Sequence, residues 1–267
     1  MIRNITLGQY YPAGSLIHKL DPRVKLLATA VYVAVLFIIN NFFGYALVFL
    51  SLSLTVYSSK VPPRFLLRGL KSLFILIIFT SVLNVFFSQG ETVLLSVLGI
   101  KITLESVIMA VKMTARLILL ICGTSLLTLT TSPIELTDAI ERLLNPFRRV
   151  GVPAHEISMM MTIALRFIPT LLEETDKIMK AQTARGADFD TGGLIKKARS
   201  LLPLLIPLFI SAFRRADELA LAMEARCYRG GEGRTKMKIM RMAKRDFRAI
   251  AALAAFLAAA VAMNVWL

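Results

Sequence analysis

Two arginines carry the most specific chemistry in this 267-residue chain. Arg185 lies in Ala184-Arg185-Gly186 and Arg226 in Ala225-Arg226-Cys227, and each triplet closes a long helical pattern. Shifting the first pattern by 41 positions lays Asp176 on Asp217, Ala181 on Ala222, Ala184 on Ala225 and Arg185 on Arg226. Leu172 then falls on Phe213 and Ile178 on Leu219, so both copies read Asp, an apolar residue and Ala-x-x-Ala-Arg, with Arg nine positions after Asp. A guanidinium presents a rigid fork of donors suited to carboxylates and backbone carbonyls. The small neighbours let another backbone approach it closely. A lone Arg at a helix end also favours the negative pole of the helix dipole, by about 0.3–1 kcal/mol. That reading suits either residue taken alone. Their duplication points to a pair of similar sockets, as a dimeric or pseudo-twofold partner presents.

Other charged and nucleophilic groups form weaker patterns. Lys112 and Arg116 share a helix face at i, i+4 spacing within an otherwise apolar run. Charges in such a run are costly and admit two readings. They snorkel or pack against neighbouring helices, or they line a polar path for an anion in a stand-alone membrane carrier. No Asp or Glu accompanies them as a proton relay. His18 and His155 lack metal-ligand spacing, and Cys122 and Cys227 lie in dissimilar surroundings, so neither a metal site nor a disulfide framework is expected. Gly230-Gly-Glu-Gly-Arg-Thr has the glycines of a phosphate loop without its spacing or its Gly-Lys-Ser/Thr ending. With no nucleophile–base pair either, the chain is expected to be non-enzymatic and to hold no cofactor of its own.

The elements that position these residues belong to a membrane protein. The chain is 56% hydrophobic with a mean hydropathy of +0.67, against roughly 45–50% apolar residues in ordinary soluble domains. Its apolar excess falls in charge-free runs. No residue from Leu26 to Ser59 is charged, and one helix over that length would extend about 51 Å against a hydrocarbon core of about 30 Å. Asn40-Asn41 and Gly44 supply a turn in its middle, so two spans are expected, at about 26–40 and 42–59. Lys60 to Lys71, broken by Pro62 and Pro63, reads as a basic loop. Further spans are expected at about 72–90 and 106–130, separated by an irregular or short extended piece around Gly99, and a fifth at 249–267.

Lys and Arg number four in residues 1–25, four in 60–71 and 21 in 131–248, whereas the alternate loops hold none, one and none. The positive-inside rule therefore places the N-terminus in the cytoplasm and the C-terminus outside. The same rule accounts for the net charge of +15 without nucleic acid. The most basic stretch, Lys236 to Arg248, carries only Phe247 for base stacking, so no nucleic-acid partner is expected. The first twenty residues lack an apolar signal core, and no cleavable signal is expected.

Residues 131–248 form an expected cytoplasmic segment of about three helices. Ser132-Pro133 starts the first, which ends before Pro146. The second covers about 154–184 and is interrupted or bent at Pro169. A break at Gly186, Gly192 and Gly193 leads to the third, from near Pro203 to about Arg226, with a Gly-rich loop to Arg234 beyond. Two patches, Ile157 to Leu165 with Met159, Met160 and Met161, and Ser200 to Phe213, are too apolar for a soluble face. They either lie on the membrane boundary and the protein's own spans or form a groove for another apolar protein.

Several motifs, in this order, give the chain a family resemblance over almost its whole length. They are Ser15-Leu-Ile-His-Lys-Leu-Asp-Pro-Arg23-Val-Lys25-Leu, Leu129-Thr-Thr-Ser-Pro-Ile-Glu-Leu, Leu165-Arg-Phe-Ile-Pro-Thr-Leu-Leu-Glu-Glu-Thr, Ala181-Gln-Thr-Ala-Arg-Gly-Ala-Asp-Phe and the copy ending in Arg226. The chain resembles the transmembrane component of energy-coupling factor transporters for vitamins and metals and the related cobalt transport proteins. The resemblance implies an all-α, multi-pass protein of a prokaryotic cell membrane, five spans with the coupling helices between the fourth and fifth. It implies a scaffold linking two cytoplasmic ATPases, which bind the ATP and Mg, to a separate substrate-binding membrane subunit. The family's paired x-Arg-x tips fall on Ala184, Arg185, Gly186, Ala225, Arg226 and Cys227, with Cys227 standing where the first copy has Gly186.

Overall fold

The computed structural model describes residues 10–87, 92–97, 100–187, 189, 193, 200–231, 240 and 242–266. Arg3, Gly90, Gly99, Gly192, Arg234, Lys236, Lys238, Arg241 and Leu267 lie outside the described residues. Helices dominate: α1 (Pro22–Ile38), α2 (Phe42–Ser59), α3 (Pro63–Phe87), α4 (Leu104–Thr130), α5 (Pro133–Leu144), a 3-10 turn (Asn145–Val150), α6 (Ala154–Ala184), α7 (Leu202–Ala225) and α8 (Lys244–Trp266). Between α3 and α4 lies an antiparallel ribbon of β1 (Val93–Val97) and β2 (Ile100–Thr103). The piece expected to be irregular or extended is thus a hairpin, which qualifies the all-α reading. The chain divides into two compact units, one of residues 8–139 and 239–267 and one of 1–7 and 140–238.

Four helices are long and apolar enough to cross a bilayer: Phe42–Ser59, Pro63–Phe87, Leu104–Thr130 and Lys244–Asn264. At 17 residues, about 25 Å, α1 is shorter than the hydrocarbon core and begins four residues before its apolar run. The expected hairpin is present, with α1 ending at Ile38 and α2 beginning at Phe42. The expected basic loop is largely a correction: α3 starts at Pro63 and carries Arg64, Arg68 and Lys71 within its first turns. Proline breaks a helix from inside but suits its first position, where its missing N–H costs nothing and its fixed φ is already helical. Asp21-Pro22 and Ser132-Pro133 begin α1 and α5 by the same rule. The last helix likewise starts earlier than its apolar run, at Lys244. Pro169 does not interrupt α6, which runs as one element through it.

Within the first unit the spans meet over a small core of Val35, Leu36, Ile39, Tyr45, Val48, Leu119 and Ala260. Gly123 lets α1 approach α4 closely, because a Cβ there would collide with the Tyr32 ring. Tyr32 Oη in turn donates to Leu119 O at 2.9 Å. The starts of α1 and α8 and the end of α4 are tied by buried polar groups. Asp246 Oδ1 accepts from Asp21 N at 2.9 Å, and its Oδ2 accepts from Ala243 N at 2.7 Å. One carboxylate thereby satisfies a backbone donor at the head of two helices, where four such donors lack partners. Lys25 Nζ donates to Thr130 O at 2.8 Å and to His18 O at 3.1 Å.

His18 completes this knot. Its Nε2 lies 2.8 Å from the Tyr11 carbonyl, which requires that nitrogen to carry the proton, and its Nδ1 lies 2.6 Å from Ser15 Oγ. Burial lowers the imidazole below its ordinary value, and Lys25 lowers it further, against the Tyr11 and Leu129 carbonyls and Glu135. A His with a lowered folded pKa favours the neutral form, so the folded chain binds fewer protons than the unfolded one. Thermal stability in detergent is expected to hold above about pH 6.5 and to decline as pH falls below it. A His18→Gln variant, measured by the same melts, is expected to lose that part of the pH dependence.

Candidate functional site

Both arginine tips are exposed. Ala184, Arg185 and Gly186 at the end of α6, and Ala225, Arg226 and Cys227 at the end of α7, are all open to solvent. Their backbones repeat one another as their sequences do. At the first tip Gly186 N donates to Thr183 O and Ala187 N to Gln182 O, each at 3.0 Å. At the second, 41 positions on, Cys227 N donates to Glu224 O at 2.8 Å and Tyr228 N to Met223 O at 3.0 Å. Each is a Schellman cap, in which two carbonyls left over by the last turn are taken by the first two residues beyond it. Arg185 and Arg226 are the capping residues, so the guanidinium sits at the point where the chain turns away.

A Schellman cap requires a left-handed residue just after the capping one. Gly186 has φ 87° and Cys227 has φ 58°. The second tip therefore holds a side-chain-bearing residue in a conformation that glycine adopts freely and others resist. From sequence Cys227 reads as a small replacement for Gly186; in the fold it is a strained one. Its thiol is free and exposed.

The duplication extends back along the helices. Arg215 Nη2 on α7 meets Glu174 Oε2 on α6 at 3.3 Å, and these two residues are 41 positions apart. A residue of one copy thus touches its own counterpart in the other. The two helices therefore meet at matching positions of the repeat. From that pair to Arg185 and to Arg226 is eleven positions in each helix, two arms of about 16 Å. The separation of Glu174 and Arg215 by the repeat length is the signal in the sequence that pairs them. The ion pair is partly exposed and contributes little to stability. It marks a contact between them.

Lys112 and Arg116 both contact neighbouring elements. Arg116 Nε donates to Tyr45 Oη at 3.1 Å, and its Nη2 donates to Ile39 O at 3.0 Å and Asn40 Oδ1 at 3.2 Å. Its guanidinium also lies 5.9 Å from the rings of Phe37 and Tyr45, and Lys112 Nζ lies 5.9 Å from the Phe42 ring. Arg116 thereby holds the turn between α1 and α2, including a carbonyl that the end of α1 leaves free. Packing against neighbouring helices, one of the two sequence readings, is what the structure shows. Among the described residues no cluster of His, Cys, Asp and Glu could hold a metal ion.

This architecture defines a multi-pass helical membrane protein with a duplicated, exposed arginine tip. The cobalt transport protein family, CbiQ, matches residues 13–237. A relative from Clostridium kluyveri, an energy-coupling factor transporter transmembrane protein, EcfT, is 55% identical over 267 residues, covering all of this chain and 99% of its own length. EcfT proteins of Ruminiclostridium cellulolyticum and Thermosediminibacter oceani are each 58% identical, over 246 and 257 residues, covering 92% and 96% of this chain and 92% and 94% of their own lengths. The chain belongs to this family of energy-coupling factor transporter transmembrane proteins.

Alanine placed at the two left-handed positions separates them. Gly186→Ala is expected to cost about 1 kcal/mol, because it forces a Cβ into the left-handed region. Cys227→Ala, at a position already bearing a Cβ, is expected to change stability by less than about 0.5 kcal/mol. Thermal or denaturant unfolding of the two variants in one detergent measures the difference.

Proposed function

We propose that this chain is the energy-coupling scaffold of an ATP-driven importer, joining a pair of cytoplasmic ATPases to a substrate-binding membrane subunit for vitamin or metal-ion uptake. The observation that carries the reading is the pair of exposed, identically capped arginine tips, each eleven positions beyond a shared contact. Two equal tips suit two equal sockets, one on each ATPase. ATP and Mg are bound by those partners, and the chain itself is non-catalytic. Residues 1–130 and 249–267 form its membrane part and 131–248 its cytoplasmic coupling helices.

The mechanism is mechanical. ATP binding and hydrolysis change the distance between the two sockets and so move Arg185 and Arg226. Because α6 and α7 meet at Glu174–Arg215, movement of the tips changes the angle between the helices. The exposed apolar stripe of α7, with Leu202, Ile206, Phe209 and Phe213, lies on the other side of that contact and carries the change to an apolar partner. Coupling follows if that partner binds the two arrangements with different affinity.

Breaking a buried, hydrogen-bonded charge pair at an interface costs about 2–5 kcal/mol. Arg185→Glu with Arg226→Glu is therefore expected to abolish co-purification of the ATPases while leaving the chain inserted and folded. Recovery of the ATPases at wild-type yield would sink the assignment. The proposed topology counts α1 as a fifth span, with the N-terminus cytoplasmic and the C-terminus outside. Fusions at the C-terminus test it: alkaline phosphatase is expected to be active there and green fluorescent protein dark, and the reverse result refutes the orientation.

A further inference from the structure

The 3-10 turn Asn145–Val150 presents an unusual surface. Phe147 is 55% exposed and Val150 81%, while Arg142, Arg148 and Arg149 are all open to solvent. In a 3-10 turn residues three apart eclipse one another, so Phe147 and Val150 share one face and Arg148 and Arg149 flank it. The turn is held in this shape by its own backbone. Gly151, with φ 89°, donates to Arg148 O at 3.1 Å, and Val152 N donates to Phe147 O at 3.3 Å. A fixed apolar prong between guanidiniums matches the boundary of a bilayer, where acyl chains meet anionic phosphate groups.

Chain reach allows the match. Only Thr131 and Ser132 separate the end of α4, an apolar helix long enough to span, from the 12-residue α5 that leads into the turn. At about 1.5 Å per residue, α5 extends about 18 Å. We infer that this turn docks on the lipid surface, with Phe147 and Val150 in the acyl boundary and Arg148 and Arg149 on the phosphates of anionic phospholipids. The consequence reaches the arginine tips. Ala154, the first residue of α6, follows Val150 by four positions, and Arg185 caps the far end of that 31-residue helix. A lipid-held turn fixes the near end of a lever about 46 Å long, and its tip is the end left free to move.

The test uses the full chain in lipid nanodiscs. Trp266, its single tryptophan, is first replaced by Phe. Phe147→Trp then supplies a probe in the turn, and Leu221→Trp supplies a control on α7, at a position 66% exposed and four residues before Ala225. Discs contain phosphatidylcholine with brominated acyl chains, with or without phosphatidylglycerol. Bromine is expected to quench the Phe147→Trp probe at least twofold more than the control in discs containing phosphatidylglycerol. Adding Arg148→Glu and Arg149→Glu, or omitting phosphatidylglycerol, is expected to lower that quenching toward the control. Equal quenching of the two probes overturns the inference. Quenching indifferent to both charge reversal and lipid charge overturns the headgroup contact, and protection of the probe only on addition of ATPase assigns the turn to a protein interface instead.

Discussion

Lys25 and Asp246, a cation and an anion almost removed from solvent, hold the ends of three helices together. Lys25 is 6% exposed and Asp246 1%. A buried charge without partners costs several kcal/mol, so each must be met by polar groups fixed in place. Here those groups are largely backbone: the Thr130 and His18 carbonyls for the ammonium, and the Asp21 and Ala243 N–H groups for the carboxylate. Backbone groups at helix ends are the ones that secondary structure leaves unsatisfied. The charges are therefore matched to the deficits of α1, α4 and α8, and no one of these helices can shift without exposing several unpaired groups at once. Tyr11 N, bonded to Leu129 O at 2.9 Å, adds the residues before α1 to the same joint.

Polar pinning matters here because apolar burial has little to offer the spans. Tyr57, Ile75 and Phe87 are 85%, 83% and 80% exposed, a surface that would aggregate in water. In a bilayer the acyl chains solvate these side chains, and the helices satisfy their own backbones. Without a hydrophobic drive between spans, position is set by close packing and hydrogen bonds. Gly123 beneath Tyr32 supplies the first. Arg116 on the turn between α1 and α2, and Asn41 Nδ2 donating to Met263 O at 3.4 Å, supply the second. A charge within an apolar helix can thus serve as a fastener, and Arg116 needs no substrate to explain it.

The tips follow a different logic. Their geometry is local: two Schellman caps, built from residues within five positions of each other, place each guanidinium where its helix ends. Because both copies use the same cap, both arginines leave their helices in the same way, one of them at the expense of a strained Cys227. What relates the two tips to each other is not local. It depends on the meeting of Glu174 with Arg215, counterparts in the repeat.

Much of this was legible in the amino-acid order because it rests on short-range rules. Charge-free runs mark spans, Pro after Asp, Pro or Ser marks a helix start, and Ala-Arg before a small residue marks the end of each repeat. These depend on dihedral limits and on the hydration of side chains, which a sequence states directly. Helices α3 and α8 begin before their charge-free runs because charge, which ends a span, does not end a helix. Only the tertiary structure could decide that Arg116 is a fastener, that Asp246 serves two helices, that Cys227 bears a left-handed backbone and that Glu174 meets Arg215. Most of these partners lie from 41 to 225 positions apart. Sequence fixes what each group needs, but which distant group meets that need is settled by how the helices pack.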